Sequence, residues 1–175
     1  LVAQETTLYG KDLYGEKSLH RLLRELCKIS GLRWIRIQYC YPEEIYDELI
    51  QTIKEEPKIC NYLDLPIQHA SDGILKRMGR RTSKQELVDI IGKLRSEIPD
   101  ICLRTTLITG FPGETQEQHE ELMDFVDEME FDRLGVFTYS PEEGTPAASM
   151  PDQIEESIKE DRRAELMELQ QEIAF

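Results

Sequence analysis

The sequence predicts an α/β protein built as an open or partial barrel of parallel βα units. Three observations carry that prediction. Strand-like and helix-like patterns alternate along almost the whole chain of 175 residues, as βα units around a parallel sheet require. Polar residues gather where each expected strand ends, which is where such folds bind ligands. The stretch Leu103-Arg104-Thr105-Thr106-Leu107-Ile108-Thr109-Gly110-Phe111-Pro112-Gly113-Glu114-Thr115 runs from a buried strand through a Gly/Pro turn into a helix start. Five strands are expected, too few for a closed eight-stranded barrel.

The expected strands cover residues 1–5, 34–39, 62–65, 101–108 and 134–139, each a short run rich in β-branched, aromatic or aliphatic side chains. Helices fall between them. The first presents Leu19, Leu22, Leu23 and Leu26 as one apolar stripe. A second is expected to begin at Pro42, a residue suited to a first helical turn, and to bury Ile45, Leu49 and Ile53. A short helix over 71–78 follows the third strand. The next opens with a Ser83-x-x-Glu86 capping box and turns Leu87, Ile90, Ile91 and Leu94 inward. Thr115-x-x-Gln118 caps another, whose stripe is Leu122, Phe125, Val126 and Met129. From about Pro151 the pattern becomes a highly charged helix with sparse apolar positions, read as an exit or linker helix over 151–175 after a barrel over 1–150.

Composition narrows the function classes. A net charge of −14 disfavours non-specific attraction to nucleic acid and suits a basic protein partner. No apolar run approaches the roughly 20 residues of a membrane span, and the start Leu1-Val2-Ala3-Gln4 has no signal-peptide character. Because it opens with Leu, inside an expected strand, the chain reads as a piece of a longer protein. Cys27, Cys40, Cys60 and Cys102 form no C-x-x-C or similar cluster, and they read as reduced thiols of a cytoplasmic protein.

Candidate site residues lie on the polar rim. Gln4 to Thr6, Gln38 to Tyr41, Gln68 to Ser71, Thr109 to Glu114 and Tyr139 to Pro141 follow the five strands in turn. Gly110 and Gly113 let backbone approach a ligand closely, or simply make a tight turn. Arg104 and Arg36 sit in otherwise apolar strands, where a guanidinium needs an anion. For Arg104 that anion is either a structural acid such as Asp64 or a ligand carboxylate. His69 is either a general base or metal ligand, or a hydrogen-bonded structural residue. His20 and His119, on helices among charges, carry no functional reading. No nucleophile-elbow, zinc-protease, Walker or dinucleotide signature is present.

Tyr62-Leu63-Asp64-Leu65-Pro66-Ile67-Gln68-His69-Ala70-Ser71, continuing Ile74-Leu75-Lys76-Arg77-Met78-Gly79-Arg80-Arg81, resembles the radical S-adenosylmethionine (SAM) methylthiotransferases. Residues 103–115 are similar to the family's fifth-strand segment. Phe137-Thr138-Tyr139-Ser140-Pro141 and Gly144-Thr145-Pro146-Ala147-Ala148 are similar to its sixth. The resemblance runs from Ala3-Gln4-Glu5-Thr6-Thr7 to the chain's end. Within the family, Gln68-His69-Ala70-Ser71, Trp34-Ile35-Arg36 and Tyr39-Cys40-Tyr41-Pro42 look like the branch that modifies an aspartate of ribosomal protein S twelve. The alternatives are the branch that modifies adenosine in tRNA, and a non-enzymatic barrel that binds an adenosyl ligand or a protein.

The resemblance implies a partial, open TIM-like radical SAM barrel whose first strand, with its Cys-x-x-x-Cys-x-x-Cys loop, lies upstream of Leu1. It also implies a separate N-terminal domain with a second cluster and a C-terminal TRAM domain, both outside this chain. SAM and two [4Fe-4S] clusters are the implied cofactors of the complete enzyme. No cluster is expected on this chain, and no activity from it alone. In the implied chemistry, SAM cleavage yields a deoxyadenosyl radical that takes hydrogen from the aspartate β-carbon; sulfur is then attached and methylated. The implied partners are ribosomal protein S twelve as substrate and an electron donor. By motif position, the resemblance implies Gln4 near the SAM amino group and Arg104 near its carboxylate. It likewise implies Gln68 and Ser71 near the ribose, with Ile108, Gly110, Phe137 and Tyr139 near the adenine. Gly113 stands where the broader superfamily often has an acid, and Glu114 follows it.

Overall fold

The computed structural model describes residues 1–174, which divide into two compact units. One comprises residues 1–66 and 88–104, the other residues 67–87 and those from 105 onward. The strands are parallel, as the alternation of patterns predicts.

In the first unit the order is β1 (Ile35–Ile37), β2 (Ile59–Asp64) and the start of β3 (Cys102–Thr109). β1 sets Ile35 against Ile59 and Ile37 against Leu63, with a bulge between. β2 pairs Leu63 with Leu103 and Asp64 with Arg104. A one-turn helix α1 (Lys11–Tyr14) precedes α2 (Leu19–Cys27). α2 lies against α3 (Asp47–Glu55), and α3 also packs on β2. Leu19, Leu23, Leu49, Ile53 and Leu63 are buried at their core, each contributing about 1.5–3 kcal/mol of transfer free energy. Arg24 ties α2 to the end of α3 through Glu55 and Glu56, at 2.7 and 3.1 Å.

Two expectations are corrected here. Residues 1–5 form no strand among the described residues. Leu1 bonds the segment around β1 twice, its ammonium donating to Arg36 O at 2.7 Å and its O accepting Gln38 N–H at 3.2 Å, and Thr6 N–H donates to Tyr39 O at 3.0 Å, without a continuous ladder between. The described residues therefore form four strands rather than five. The second helix does not run unbroken from Pro42. Pro42–Glu44 make a 3₁₀ turn, Ile45 and Tyr46 are extended, and α3 starts at Asp47. Pro42 seeds one turn, which closes with Ile45 N–H donating to Pro42 O at 3.3 Å and ends there because Ile45 itself is extended.

In the second unit α4 (Asp72–Arg77) is followed by the first turn of α5 (Lys84–Glu97). α5 begins with the predicted box: Ser83 N–H donates to Glu86 Oε2 at 2.8 Å, and Glu86 N–H to Ser83 Oγ at 3.2 Å. The rest of β3 neighbours β4 (Arg133–Thr138), and between them runs α6 (Gln116–Met129). Thr115 and Gln118 form the predicted reciprocal cap of α6, worth about 1 kcal/mol. Leu122, Phe125 and Val126 are buried with Phe131.

The last helix, α7 (Glu156–Ala174), packs on β4 and α6. Its buried residues are Lys159, Arg162, Leu166 and Gln170, spaced three, four and four along one face. Four polar side chains of α7 donate to main-chain carbonyls: Lys159 Nζ to Tyr139 O at 2.9 Å, Arg162 Nη1 to Glu114 O at 3.1 Å, Arg163 Nε to Val136 O at 3.2 Å, and Gln170 Nε2 to Phe131 O at 2.7 Å. The helix thus covers β4 and the segments flanking it with polar groups that satisfy main-chain carbonyls. No helix among the described residues is long and apolar enough to cross a membrane.

Candidate functional site

The second unit contains a cavity of about 570 Å³ at the carboxyl ends of β3 and β4, the size range of cofactor sites. Gln68, Ile108, Phe111 and Tyr139 line one side. Arg77 at the end of α4, Met78 to Arg80 just past it, and Thr145 to Ala147 with Met150 line the rest. Its floor is apolar: Ile74, Phe111 and Tyr139 are buried together, with Met78, Ile108 and Met150 against them. The Phe111 and Tyr139 rings meet edge to face, centroids 5.2 Å apart.

Two buried polar atoms, Gln68 Oε1 and Tyr139 Oη, have no protein partner. Buried polar groups are nearly always hydrogen-bonded, so these two leave hydrogen-bonding capacity unused at the cavity. Gln68 is also one of the few non-glycine residues with left-handed backbone, at φ 71°. Gln68 N–H donates to Thr106 O at 3.0 Å and Ile108 N–H donates to Gln68 O at 2.8 Å, and this bridge to β3 holds the strained conformation.

Beneath the rim lies a buried ionic network centred on Glu114. Its Oε1 accepts Gly110 N–H at 3.0 Å and Arg162 Nη1 at 2.7 Å. Its Oε2 meets His69 Nε2 at 2.8 Å. His69 Nδ1 accepts Ser71 N–H at 3.0 Å, so the ring proton stands on Nε2 and points to Glu114. Burial by itself pushes the Glu114 carboxyl up. The His69 bond, the Gly110 amide and Arg162 outweigh it and hold the carboxyl below its ordinary 4.5. His69 is fully buried, so the structure gives it the hydrogen-bonded role.

Of the residues singled out from sequence, Gln68, Ile108 and Tyr139 meet at one cavity. Ser71 is buried as the residue before α4, and its N–H is taken by His69. Gly110 has φ 72°, and the space beside its Cα is filled by the Lys159 stem. Gly113 has φ 79°, and a Cβ there would displace the Arg77 guanidinium, which donates to Pro112 O at 3.0 Å. Phe137 is 61% exposed on β4. In the first unit, Gln4 is exposed, and Arg104 Nη1 bonds Asp64 Oδ1 at 2.7 Å, one of the two anions expected for it. Arg36 lies over the Tyr62 ring at 4.7 Å.

Sequence reasoning missed Lys159, Arg162 and the hub role of Glu114. A helical face of Lys159, Arg162, Leu166 and Gln170 carries a single apolar residue, so periodicity could not flag it. Among the described residues, no three His, Cys, Asp or Glu side chains gather as a metal site, and Cys27, Cys40, Cys60 and Cys102 are separate free thiols.

A parallel βα architecture with a ligand cavity at its strand ends is the arrangement of the radical SAM enzymes, and the Radical SAM superfamily matches residues 2–126. The chain belongs to that superfamily. It is 70% identical over 175 residues to the ribosomal protein uS12 methylthiotransferase RimO of Lachnoclostridium phytofermentans, covering all of this chain and 40% of that protein. It is 59% identical over 175 residues to RimO of Geobacter sulfurreducens, again all of this chain and 39% of the relative. The chain thus spans about two fifths of the length of these relatives. In fold it is similar to SuiB of Streptococcus suis bound to S-adenosylmethionine, with a TM-score of 0.57 and 17% identity over 88% of this chain and 33% of that one. It is also similar to the radical SAM methyltransferase TsrM of Kitasatospora setae, with a TM-score of 0.55 and 18% identity over 67% of this chain and 24% of that one.

Proposed function

We propose that this chain forms the SAM-binding part of a cytoplasmic radical SAM enzyme that methylthiolates the β-carbon of an aspartate in ribosomal protein uS12. The observation that carries the reading is the 70% identity with a uS12 methylthiotransferase across all 175 residues. The geometry supports an adenosyl ligand. An apolar floor at Ile108, Phe111 and Tyr139 suits a purine, and the unpartnered Gln68 Oε1 and Tyr139 Oη offer polar contacts. SAM, when bound, supplies the hydrogen-abstracting and methyl-donating chemistry. This chain's residues bind it, orient it and shield it from water.

Gly110 keeps the backbone of the rim narrow, and Ser71 holds the turn that carries Gln68. Phe137 on β4 is proposed near the adenine. Gln4 and Arg104 of the first unit are proposed, on the family resemblance, for the amino and carboxylate groups of SAM. Among the described residues no ligand set for an iron–sulfur cluster comes together, so no step is assigned to Cys27, Cys40, Cys60 or Cys102. The two [4Fe-4S] clusters are assigned to other parts of the intact enzyme, as are the TRAM and N-terminal domains and the docking of an electron donor. Residues 151–175 are proposed to lead toward the TRAM domain.

The test is to incubate the reconstituted intact enzyme anaerobically with SAM, a low-potential chemical reductant and sulfide, with uS12 and, separately, with tRNA, and to weigh the products by mass spectrometry. A methylthio mass gain on the uS12 peptide is expected. A gain confined to tRNA would overturn the substrate assignment.

A further inference from the structure

Helices that cover an edge strand ordinarily do so with apolar side chains, yet α7 inserts two cations. Lys159 is 4% and Arg162 8% exposed. Burying a charge is costly unless directed bonds offset the lost hydration, so the bonds these two make define what they do. Lys159 Nζ donates to Tyr139 O at 2.9 Å and stands 5.4 Å from the Tyr139 ring centroid. Its Cγ fills the space beside Gly110, only 2.3 Å from where a Cβ would stand. Arg162 Nη1 donates to Glu114 O at 3.1 Å and to Glu114 Oε1 at 2.7 Å.

From Glu114 the bonds branch to Gly110 N–H and to His69, and from His69 to Ser71 N–H. One helix therefore fixes three strand-end segments: 68–71, 110–114 and 139–140. Those segments carry Gln68, Phe111 and Tyr139, which line the cavity, whereas neither Lys159 nor Arg162 does.

We propose that Lys159 and Arg162 are positioning residues that hold Gln68 and Tyr139 in register for the adenosyl ligand, an inference that rests on reading this cavity as the SAM site. Loosening α7 at these two points lets the rim segments move apart and weakens ligand binding while the core beneath stays folded.

The test uses the intact protein in five forms: wild type, Lys159→Met, Arg162→Gln, Arg162→Lys and Leu166→Ala. Lys159→Met keeps a stem beside Gly110 and removes the ammonium, with its bond to Tyr139 O and its ion pair with the exposed Glu156 at 3.2 Å. Leu166→Ala loosens the same helix through a fully buried apolar residue that bonds to no rim segment. S-adenosylhomocysteine affinity is read by calorimetry, and amide hydrogen exchange by mass spectrometry over segments 110–114 and 139–141. Lys159→Met and Arg162→Gln are expected to raise the Kd roughly tenfold, the scale of one charge-assisted bond, and to speed exchange in both segments. Arg162→Lys should recover part of the affinity, and Leu166→Ala should stay within about twofold of wild type. Unchanged exchange and affinity in both polar variants would overturn the proposal, as would an equal loss in Leu166→Ala. If Arg162→Gln fails to fold, Lys159→Met decides the matter. A wild-type protein that does not bind S-adenosylhomocysteine would count against the SAM reading alone, because hydrogen exchange still decides whether α7 positions the rim.

Discussion

Replacing Gly110 with alanine separates two costs that glycine hides. The first is conformational: φ is +72° at Gly110, and an L side chain in that left-handed region loses about 1 kcal/mol. The second is steric. The new Cβ would stand 2.3 Å from Lys159 Cγ and 3.0 Å from Lys159 Cβ and Cδ, and atoms so near the helix backbone cannot swing aside cheaply. Relief requires the Lys159 stem to leave its slot, giving up the bond to Tyr139 O, or α7 to shift, an overpacking cost of about 1–3 kcal/mol. A lost hydrogen bond adds about 1 kcal/mol. Gly79 provides the control, since its φ is +73° and nothing lies within 4 Å of a Cβ there. Gly79→Ala should therefore cost about 1 kcal/mol and Gly110→Ala about 3–5 kcal/mol, read as denaturant midpoints of the intact protein at constant m. Lys159→Ala placed in the Gly110→Ala background should recover part of the difference. Equal losses in the two alanine variants would show that Lys159 does not occupy the space beside Gly110.

Acid stability tests the Glu114 network. Because the folded carboxyl lies below its ordinary 4.5, its contribution is complete above that value and is lost as pH falls through the lower folded value. Glu114→Gln should destabilise by about 3–5 kcal/mol near neutral pH, and the gap to wild type should narrow in denaturant titrations repeated below about pH 4; a gap independent of pH would contradict the assignment. Burial pushes the Cys40 thiol up to about 12, against the lowering effect of the Thr6 hydroxyl. With iodoacetamide at mildly alkaline pH, peptide mapping should find the partly exposed Cys27, Cys60 and Cys102 modified and Cys40 protected until the protein is denatured. Early labelling of Cys40 would refute its burial.

Elements whose signals are local were legible in the sequence. The capping boxes at Ser83 and Thr115 form as expected because each is settled within four residues. The stripe Leu122, Phe125 and Val126 is buried because a helix has one apolar face to hide. Gln68 and Tyr139 were singled out as polar residues after strands and Ile108 by the family-like motif, and the structure brings the three to one cavity. Pro42 misled because it marks a first turn without specifying how many follow. Residues 1–5 misled because a strand needs a partner ladder, and a run such as Leu1-Val2-Ala3 has strand propensity with or without one.

By itself the sequence determined the parallel βα class, the order of helices and strands from α2 to α6, and the superfamily to which the chain belongs. These follow from periodicity, caps and motif spacing, all of which are short-range properties of the chain. Only the tertiary structure decided that Arg104 meets Asp64, that His69 serves Glu114, and that α7 turns Lys159 and Arg162 inward. Each of those outcomes pairs groups at least 40 positions apart or buries a charge against residue-type preference. A buried charge is stable only where distant segments converge to satisfy it, and that convergence exists nowhere but in the folded chain.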